Sequence, residues 1–270
     1  MSYPGRDDVY VYCAIRLYIL LSTVIGISHV HDTHSLSLLF SLAFFVLADH
    51  TRFEKNDFDI KRTLGVGAYG FVKLVQWKRA PSTQSNVYYA LKCVSKQNIE
   101  EKKQQKKIKR EEDIMRSLIH PFIARCYNVM EDIKGIYFLM EALCGGELCE
   151  LLYYEGTFSE EWSMFYSASV LSAFAYMHER KVAYRDLKPE NLVLNDVGYI
   201  KIVDFGLAKE VTNGYTSSFC GTPDYLAPEV ILSEGHDWAV DYWGLGVLIY
   251  EMLEGSAPFC AENPMDVRQQ

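Results

Sequence analysis

A glycine-rich segment that continues as a strand, and not as a helix, most restricts how this chain can fold. Its sequence is Gly65-Val66-Gly67-Ala68-Tyr69-Gly70-Phe71-Val72. Glycine lets a backbone approach a phosphate closely and adopt positive φ. In a dinucleotide-binding fold this spacing opens a helix and is followed about 20 residues later by an acid. Here residues 71–76 have strand character and Lys92 follows 22 positions after Gly70, so we predict a phosphate-covering hairpin with a cationic clamp.

Two further segments carry groups suited to phosphate chemistry. The first packs two cations, two acids and an amide into Tyr184-Arg185-Asp186-Leu187-Lys188-Pro189-Glu190-Asn191. In it Asp186 can accept a hydroxyl proton, Lys188 can hold phosphoryl oxygens and Asn191 can bind Mg²⁺. The second, Asp204-Phe205-Gly206, follows an apolar strand and offers a carboxylate that suits Mg²⁺. Either segment alone is compatible with a surface turn, whereas the ordered set is not.

In this order the motifs resemble those of eukaryotic protein kinases. The set is completed by Ala90-Leu91-Lys92 and Ala227-Pro228-Glu229. The resemblance covers about residues 53–270 and implies an α+β, bilobal protein-kinase-like fold. We expect a β-rich small lobe over residues 53–142 and a helical large lobe over 143–270, which is incomplete because the family's final helices are missing.

Local patterns predict the main elements. Strands are expected over residues 64–75, 88–94 and 136–140, and one or two charged helices over 96–115. Ser159 is a candidate N-cap, with Glu160 and Glu161 in the first turn of a long helix.

The resemblance also implies roles for individual residues. Lys92 would hold the ATP phosphates and pair with Glu111, or with Glu112 as the alternative. Asp186 and Lys188 would act in catalysis, and Thr222 would contact their loop. Asn191 and Asp204 would hold Mg²⁺. The residues expected around ATP are Leu64, Gly65, Val66, Gly67, Ala68, Tyr69, Gly70, Phe71, Val72, Ala90, Lys92, Met140, Glu141, Leu143, Glu147 and Val193.

Subfamily features point to a Ser/Thr kinase. Lys188 is typical of that class, and Tyr184 with residues 219–229 resembles the AGC group. Within it the chain is most similar to cyclic-GMP-dependent kinases, and next to cyclic-AMP-dependent kinases. The resemblance implies that Glu147, Glu190 and Glu251 contact basic residues of a Ser/Thr peptide substrate.

The activation-loop position is held by Ser218, which an upstream kinase could phosphorylate. We expect a phosphate there to pair with Arg185, Lys209 and Lys107.

The net charge and the cysteine content limit which binding partners and which compartment suit this chain. The chain has 27 basic and 35 acidic residues, a net charge of −8. This disfavours a nucleic-acid binder and suits basic partners. Seven scattered cysteines, none in a CxxC pair, predict free thiols in a reducing compartment, so we expect a cytoplasmic protein.

Residues 1–52 stay unassigned. Two apolar runs, residues 17–27 and 36–48, are shorter than the about 20 residues of a spanning helix. A membrane anchor, a segment that packs on the domain, and sequence foreign to the mature protein remain open.

For the domain itself, the family's ATP- and Mg²⁺-dependent chemistry is our first hypothesis. The alternative is an inactive nucleotide-binding or scaffolding fragment.

Overall fold

The computed structural model describes residues 53–67, 70–78, 87–212 and 214–259. The chain divides into two compact units, residues 1–54 and 55–270, and every element below belongs to the second. The whole of the unassigned segment 1–52 and the glycine-loop residues Ala68 and Tyr69 lie outside the described residues. No helix within the described ranges combines the length and the apolar character that crossing a membrane requires.

Five antiparallel strands form one sheet in the order β1-β2-β3-β5-β4. Their bounds are β1 Phe58–Gly67, β2 Gly70–Trp77, β3 Tyr88–Ser95, β4 Cys126–Glu131 and β5 Gly135–Glu141. The β character predicted over residues 64–75 belongs to a hairpin of two strands, in which Gly67 pairs with Gly70. Gly70 is required there because a Cβ would overlap the backbone carbonyl of Cys93 on β3. The strands predicted over 88–94 and 136–140 are confirmed as β3 and β5.

Helices dominate the rest of the described chain. Their bounds are α1 Lys96–Glu101, α2 Gln105–Ser117, α3 Leu148–Glu155, α4 Glu160–Glu179, α5 Pro228–Ile231 and α6 Ala239–Glu254. The charged stretch 96–115 therefore forms two helices. The N-cap prediction is confirmed, because the Ser159 hydroxyl accepts a hydrogen bond from the Trp162 N–H at 3.3 Å. The α+β expectation of a sheet-rich lobe followed by a helical lobe is also confirmed.

Two small ladders position the chemistry-bearing loops. Their strands are β6 Val182–Ala183 with β9 Lys209–Glu210, and β7 Leu192–Leu194 with β8 Ile200–Ile202. The segment 184–191 is the loop between β6 and β7, and the segment 204–206 directly follows β8. Because β7 and β8 are paired, the two segments are held side by side.

One hydrophobic cluster joins both lobes. It includes Ala90 and Phe138 of the sheet as well as Phe174 of α4 and Leu248 of α6. The last three side chains are fully buried, at 0% exposure. Burying side chains of this size stabilises a fold by about 1.5–3 kcal/mol each, so the two lobes share one core.

His120 connects the small lobe to α4. Its Nδ1 accepts a hydrogen bond from the Phe122 N–H at 3.2 Å, and its ring lies 5.0 Å from that of Tyr176. Burial, with smaller contributions from the positive charges of Lys201 and Arg180, lowers the pKa of His120 to about 4. The folded protein therefore needs the neutral imidazole.

This predicts a specific loss of stability in mild acid. The unfolded His120 binds a proton near pH 6.5 and the folded one only near pH 4, so its contribution is complete above pH 6.5 and is lost as pH falls toward 4. The slope approaches about 1.4 kcal/mol per pH unit. Urea unfolding at pH 7, 6 and 5 should show a weaker pH dependence in His120→Gln than in the parent chain; identical slopes would contradict the assignment.

Candidate active site

One face of the sheet carries the predicted clamp lysine together with predicted nucleotide contacts. Val72 on β2 pairs directly with Lys92 on β3, and Ala90 pairs with Met140 on β5. Directly paired residues, and residues two apart on a strand, point to the same side of a sheet. These four side chains therefore form one surface, and Leu64 packs against the same hydrophobic cluster.

The Lys92 ammonium joins two distant parts of the chain. Its Nζ lies 2.6 Å from Oε1 of Glu111 on α2 and 3.2 Å from Oδ1 of Asp204. Burial alone lowers the pKa of Lys92, but the charges of the two carboxylates outweigh it and the pKa is raised. Lys92 is thus a fixed cation that connects the sheet, α2 and the loop after β8.

The structure decides between the two predicted acids of α2. Glu111 is buried and faces Lys92, whereas Glu112 lies within 3.0 Å of Arg116 and 3.3 Å of Lys109 on its own helix. Successive helical residues differ by about 100° in direction, so only one of two adjacent acids can face the sheet. The alternative prediction, that Lys92 pairs with Glu112, is therefore wrong.

Asp204 is held ionised in a left-handed backbone conformation. Its φ is 52°, and its Oδ1 accepts a hydrogen bond from the Gly206 N–H at 3.2 Å. Desolvation, the largest single contribution, disfavours its charge, but the Lys92 ammonium, the Gly206 N–H and Lys107 together outweigh it, and the pKa of Asp204 is lowered. Non-glycine residues rarely adopt this conformation, so the surrounding contacts fix the direction of the carboxylate.

A buried carboxylate organises the loop between β6 and β7. Asp241 accepts hydrogen bonds from the backbone N–H groups of Tyr184 and Arg185, at 2.9 and 2.7 Å, and its Oδ2 lies 2.8 Å from Nε2 of His178. Arg185 has a φ of 68°. The hydrogen bonds to Asp241 hold Arg185, the residue directly before Asp186, in a backbone conformation that it would rarely adopt without them.

Asp186 is placed as a proton acceptor. Its Oδ2 accepts a hydrogen bond from Asn191 at 3.0 Å and its Oδ1 accepts one from the Thr222 hydroxyl at 3.1 Å. Burial raises the pKa of Asp186, while the Lys188 ammonium opposes that rise. The predicted contact of Thr222 with this loop is present, and Lys188 acts on the same carboxylate.

The donor set fits a magnesium ion shared with phosphates. Asn191 uses Nδ2 to donate to the carbonyl and carboxylate of Asp186, so its amide oxygen is the atom suited to a cation. Asp204 supplies an ionised carboxylate nearby, since the Val203 N–H donates to the Asn191 carbonyl at 3.0 Å. In the described ranges no group of three or more His, Cys, Asp or Glu residues could hold a metal ion. Mg²⁺ commonly takes one or two protein ligands, with phosphate and water oxygens completing its shell.

The predicted nucleotide contacts include backbone groups that the fold leaves open. Among the described residues none pairs with the backbone N–H or C=O of Leu143 in the connection between the lobes. A Cβ at Gly65 would meet nothing within 4 Å, and one at Gly67 would meet only the Gly70 carbonyl at 4.0 Å. Neither glycine has positive φ, so open space, and not backbone conformation, distinguishes these positions.

The other predicted nucleotide contacts lie around this opening. Val66 and Phe71 are exposed on the glycine hairpin, and Val193 on β7 bridges to Glu147. The Glu141 carboxylate binds Lys201 at 2.8 Å and its backbone N–H donates to the Arg125 carbonyl at 2.9 Å, so neither of these groups is open to a base.

Comparison with known proteins identifies the family. The protein kinase domain profile matches residues 58–270. The chain belongs to the protein kinase family. It is 48% identical over 210 residues to isozyme 1 of the Drosophila melanogaster cGMP-dependent protein kinase, covering 77% of this chain and 27% of that protein. It is likewise 48% identical over 208 residues to human cGMP-dependent protein kinase 2, with the same coverage.

A human cAMP-dependent protein kinase catalytic subunit is 43% identical over 214 residues, covering 79% of this chain and 58% of that protein. These relatives are consistent with a Ser/Thr kinase of the AGC group. The chain spans about a quarter of the length of the cGMP-dependent relatives.

In this kinase domain the three predicted substrate acids lie near one another. Burial and the nearby Glu147 carboxylate, to which the thiol donates at 3.2 Å, are the main causes of the raised pKa of Cys149, and the negative charge of Glu190 adds to them. Burial is also the main cause of the raised pKa of Glu251, to which Glu190 contributes. Asp224 acts on Glu251 in the same way. The sequence analysis missed Asp224, although it lies within the motif over residues 219–229.

Two of these acids have structural partners that sequence did not indicate. Glu147 caps the N-terminus of α3 in a reciprocal arrangement with Glu150. Glu251 accepts a short hydrogen bond from the Tyr225 hydroxyl. Glu190, in contrast, is exposed.

The predicted activation-loop serine lies in a cationic pocket. An Arg185 guanidinium nitrogen donates to the Ser218 hydroxyl at 3.1 Å, and Lys209 donates to Thr216 at 2.7 Å. The charge of the expected third cation, Lys107, helps to lower the pKa of Asp204 in the loop after β8, and its pairing with a phosphate on Ser218 stays a prediction. Arg110, one helical turn further along α2, contributes positive potential at both Arg185 and Lys209.

The pairing of Lys92 predicts unequal effects of two adjacent substitutions. Glu111→Gln removes a charged hydrogen-bond partner worth about 1.5–3 kcal/mol, so kcat/KM for peptide phosphorylation should fall at least about tenfold. Glu112→Gln, the matched control, should stay within about twofold because its partners lie on the helix surface. Initial-rate kinetics on both variants test this, and a comparable loss in the two would refute the assignment of Glu111.

Proposed function

We propose that this kinase domain transfers the γ-phosphoryl group of ATP to Ser or Thr hydroxyls of basic proteins. The observation that carries the proposal is the placement of Lys92 between Glu111 and Asp204, at 2.6 and 3.2 Å. This contact forms only when sheet, helix α2 and the loop after β8 converge, which is the arrangement that phosphoryl transfer in kinases requires.

Each residue has a distinct task in this proposal. When bound, Mg²⁺ would neutralise charge on the ATP phosphates. Lys92 would position the α- and β-phosphates, and Asn191 and Asp204 would hold the metal. Asp186 orients the attacking hydroxyl and accepts its proton, while Lys188 stabilises charge on the transferring group.

Preference for basic substrates is proposed from the acidic surface beside this loop. Burial is the main cause of the raised pKa of Glu251, and the negative charges of Glu190 and Asp224 raise it further, so both repel the Glu251 carboxylate. A substrate arginine would relieve that repulsion and form charge-assisted hydrogen bonds. Since Glu251 is also bound to Tyr225, the exposed Glu190 is the acid best able to contact a peptide.

We also propose that an upstream kinase phosphorylates Ser218. The residue is exposed, yet its hydroxyl already accepts a hydrogen bond from Arg185. A phosphate adds about −1.5 to −2 charge and strong acceptor oxygens, which would order the activation loop against the cations around it. The described contacts give no support to the inactive alternative, because Lys92, Asp186, Asn191 and Asp204 are all intact and mutually placed.

Removing the proposed proton acceptor provides the central test. Asp186→Asn should reduce kcat by about 10²–10⁴-fold while ATP-Mg²⁺ still raises the melting temperature. Radiolabel transfer to a basic Ser peptide and a thermal-shift titration measure the two effects. Asp196→Asn, on an exposed turn, is the control and should behave as the parent; undiminished turnover in Asp186→Asn would defeat the proposal.

Substrate preference is tested by neutralising one exposed acid. Glu190→Gln should lower the kcat/KM ratio between an Arg-containing peptide and its Ala analogue by about tenfold, the equivalent of one charged hydrogen bond. Glu155→Gln at the exposed end of α3 is the matched control. An unchanged kcat/KM ratio in Glu190→Gln would show that this carboxylate does not contact the substrate arginine.

A further inference from the structure

A buried histidine lies beside the serine of the activation loop. One guanidinium nitrogen of Arg185 is 3.1 Å from the Ser218 hydroxyl and 3.4 Å from Nε2 of His236. His236 is only 5% exposed, and its backbone pairs in both directions with that of Thr216, at 2.7 and 2.8 Å. The imidazole and the serine hydroxyl therefore face the same nitrogen and are held in place by a two-way backbone bridge.

The side-chain cations of this pocket have no direct ion-pair partner among the described residues, although the charge of buried Asp241 acts on Arg185 from the backbone side. In the part of the chain that the structure describes, no carboxylate lies within ion-pair distance of the side chains of Arg185 or Lys209. Arg185 is buried, at 8% exposure, and is satisfied by the Leu207 carbonyl and by the two neutral groups Ser218 and His236. A buried cation without a counter-charge is costly, so the pocket favours an anion.

The hydrogen-bond pattern defines the present state of His236. The guanidinium can only donate, so Nε2 must accept and the imidazole must be neutral. Burial is the main cause of a lowered pKa of His236, with the positive charge of Arg185 next; Lys209 lowers it further, whereas Glu229 and Asp241 raise it. The titratable groups facing the ring thus come from the catalytic loop, β9, α5 and α6, and Arg110 of α2 adds to the positive potential at two of them.

We propose that His236 is a ligand of the phosphoryl group on Ser218 and takes up a proton when that group is installed. This rests on the proposed phosphorylation of Ser218. Phosphate oxygens would replace His236 as the acceptor of the Arg185 N–H, which frees Nε2 to carry a proton and donate to the phosphate. An opposite charge within about 4–6 Å raises a histidine pKa by about one to three. The modified pocket therefore binds a proton at a higher pH than the unmodified one does, and its hold on the phosphate weakens as pH rises.

The covalent step and the proton step balance separately. The upstream kinase forms a bond between the Ser218 Oγ and the γ-phosphorus of ATP, ADP leaves, and the hydroxyl proton is released. His236 then takes one proton from solvent without any further bond change.

The test compares the full chain carrying phosphoserine at position 218, introduced during translation, with the unmodified chain. Both are labelled with ¹⁵N-histidine, and ring signals are followed by NMR from pH 5 to 9. We expect the pKa of His236 to be higher by about one to three in the phosphorylated protein. The signal of His120, which lies in a different part of the fold, should not move and serves as the internal control.

A second measurement does not depend on resolving the ring signals. For each protein, the rate of phosphatase removal of the Ser218 phosphate at pH 6 is divided by the rate at pH 8. This ratio should be several-fold lower in the parent chain than in His236→Gln, whose side chain cannot be protonated. An unmoved His236 pKa, or the same pH dependence in both proteins, would overturn the assignment. Peptide phosphorylation by the two forms of the chain separates this from the proposed regulation: a shifted pKa without gain of activity would leave the histidine assignment standing and refute activation through Ser218.

Discussion

The hydrogen bonds from the catalytic loop to one buried carboxylate determine most of what surrounds it. Asp241, 1% exposed at the start of α6, accepts the N–H groups of Tyr184 and Arg185. Those bonds hold Arg185 at positive φ. Because the chain turns at that residue, the guanidinium points toward Ser218 on one side while the next carboxylate, that of Asp186, reaches Thr222 and Asn191 on the other. Loss of this brace would disturb chemistry and regulation together.

Two cation sites in this domain differ in how their charge is balanced. Lys92 has two carboxylates within 3.2 Å and a raised pKa, so its protonation state is fixed and its role is positional. Arg185 and Lys209 have only neutral acceptors in the described structure, and desolvation lowers the pKa of each. A balanced site keeps its structure as conditions change, whereas an unbalanced one responds to an added anion. This contrast explains why a protein with a net charge of −8 still concentrates positive potential at one place.

Sequence predicted the fold class and singled out residues that the structure brings together around Lys92 and Asp186, because they stand in short motifs whose internal spacing is fixed by a turn or a strand. It failed where the deciding variable is the direction of a side chain. Which of the two adjacent acids Glu111 and Glu112 faces Lys92 depends on the rotation of α2 against the sheet, which no local pattern reports. His236 lies outside the motifs and Asp224 is one undistinguished residue within one, since each gains its role from a partner distant in the chain.

The glycines of the β1–β2 hairpin are required for two different reasons, which the structure distinguishes. At Gly70 a side chain would strike the β3 backbone, so the fold itself demands glycine. At Gly65 and Gly67 no described atom lies closer than 4.0 Å to an added Cβ and φ is not positive, so among the described residues neither packing nor conformation excludes alanine. A glycine that the fold itself does not need is explained by a ligand, here the phosphates of the nucleotide, that approaches its backbone closely. Lys92 reinforces that explanation, because it shares a sheet face with Val72, the direct strand partner of Gly65, and brings a positive charge to the same opening.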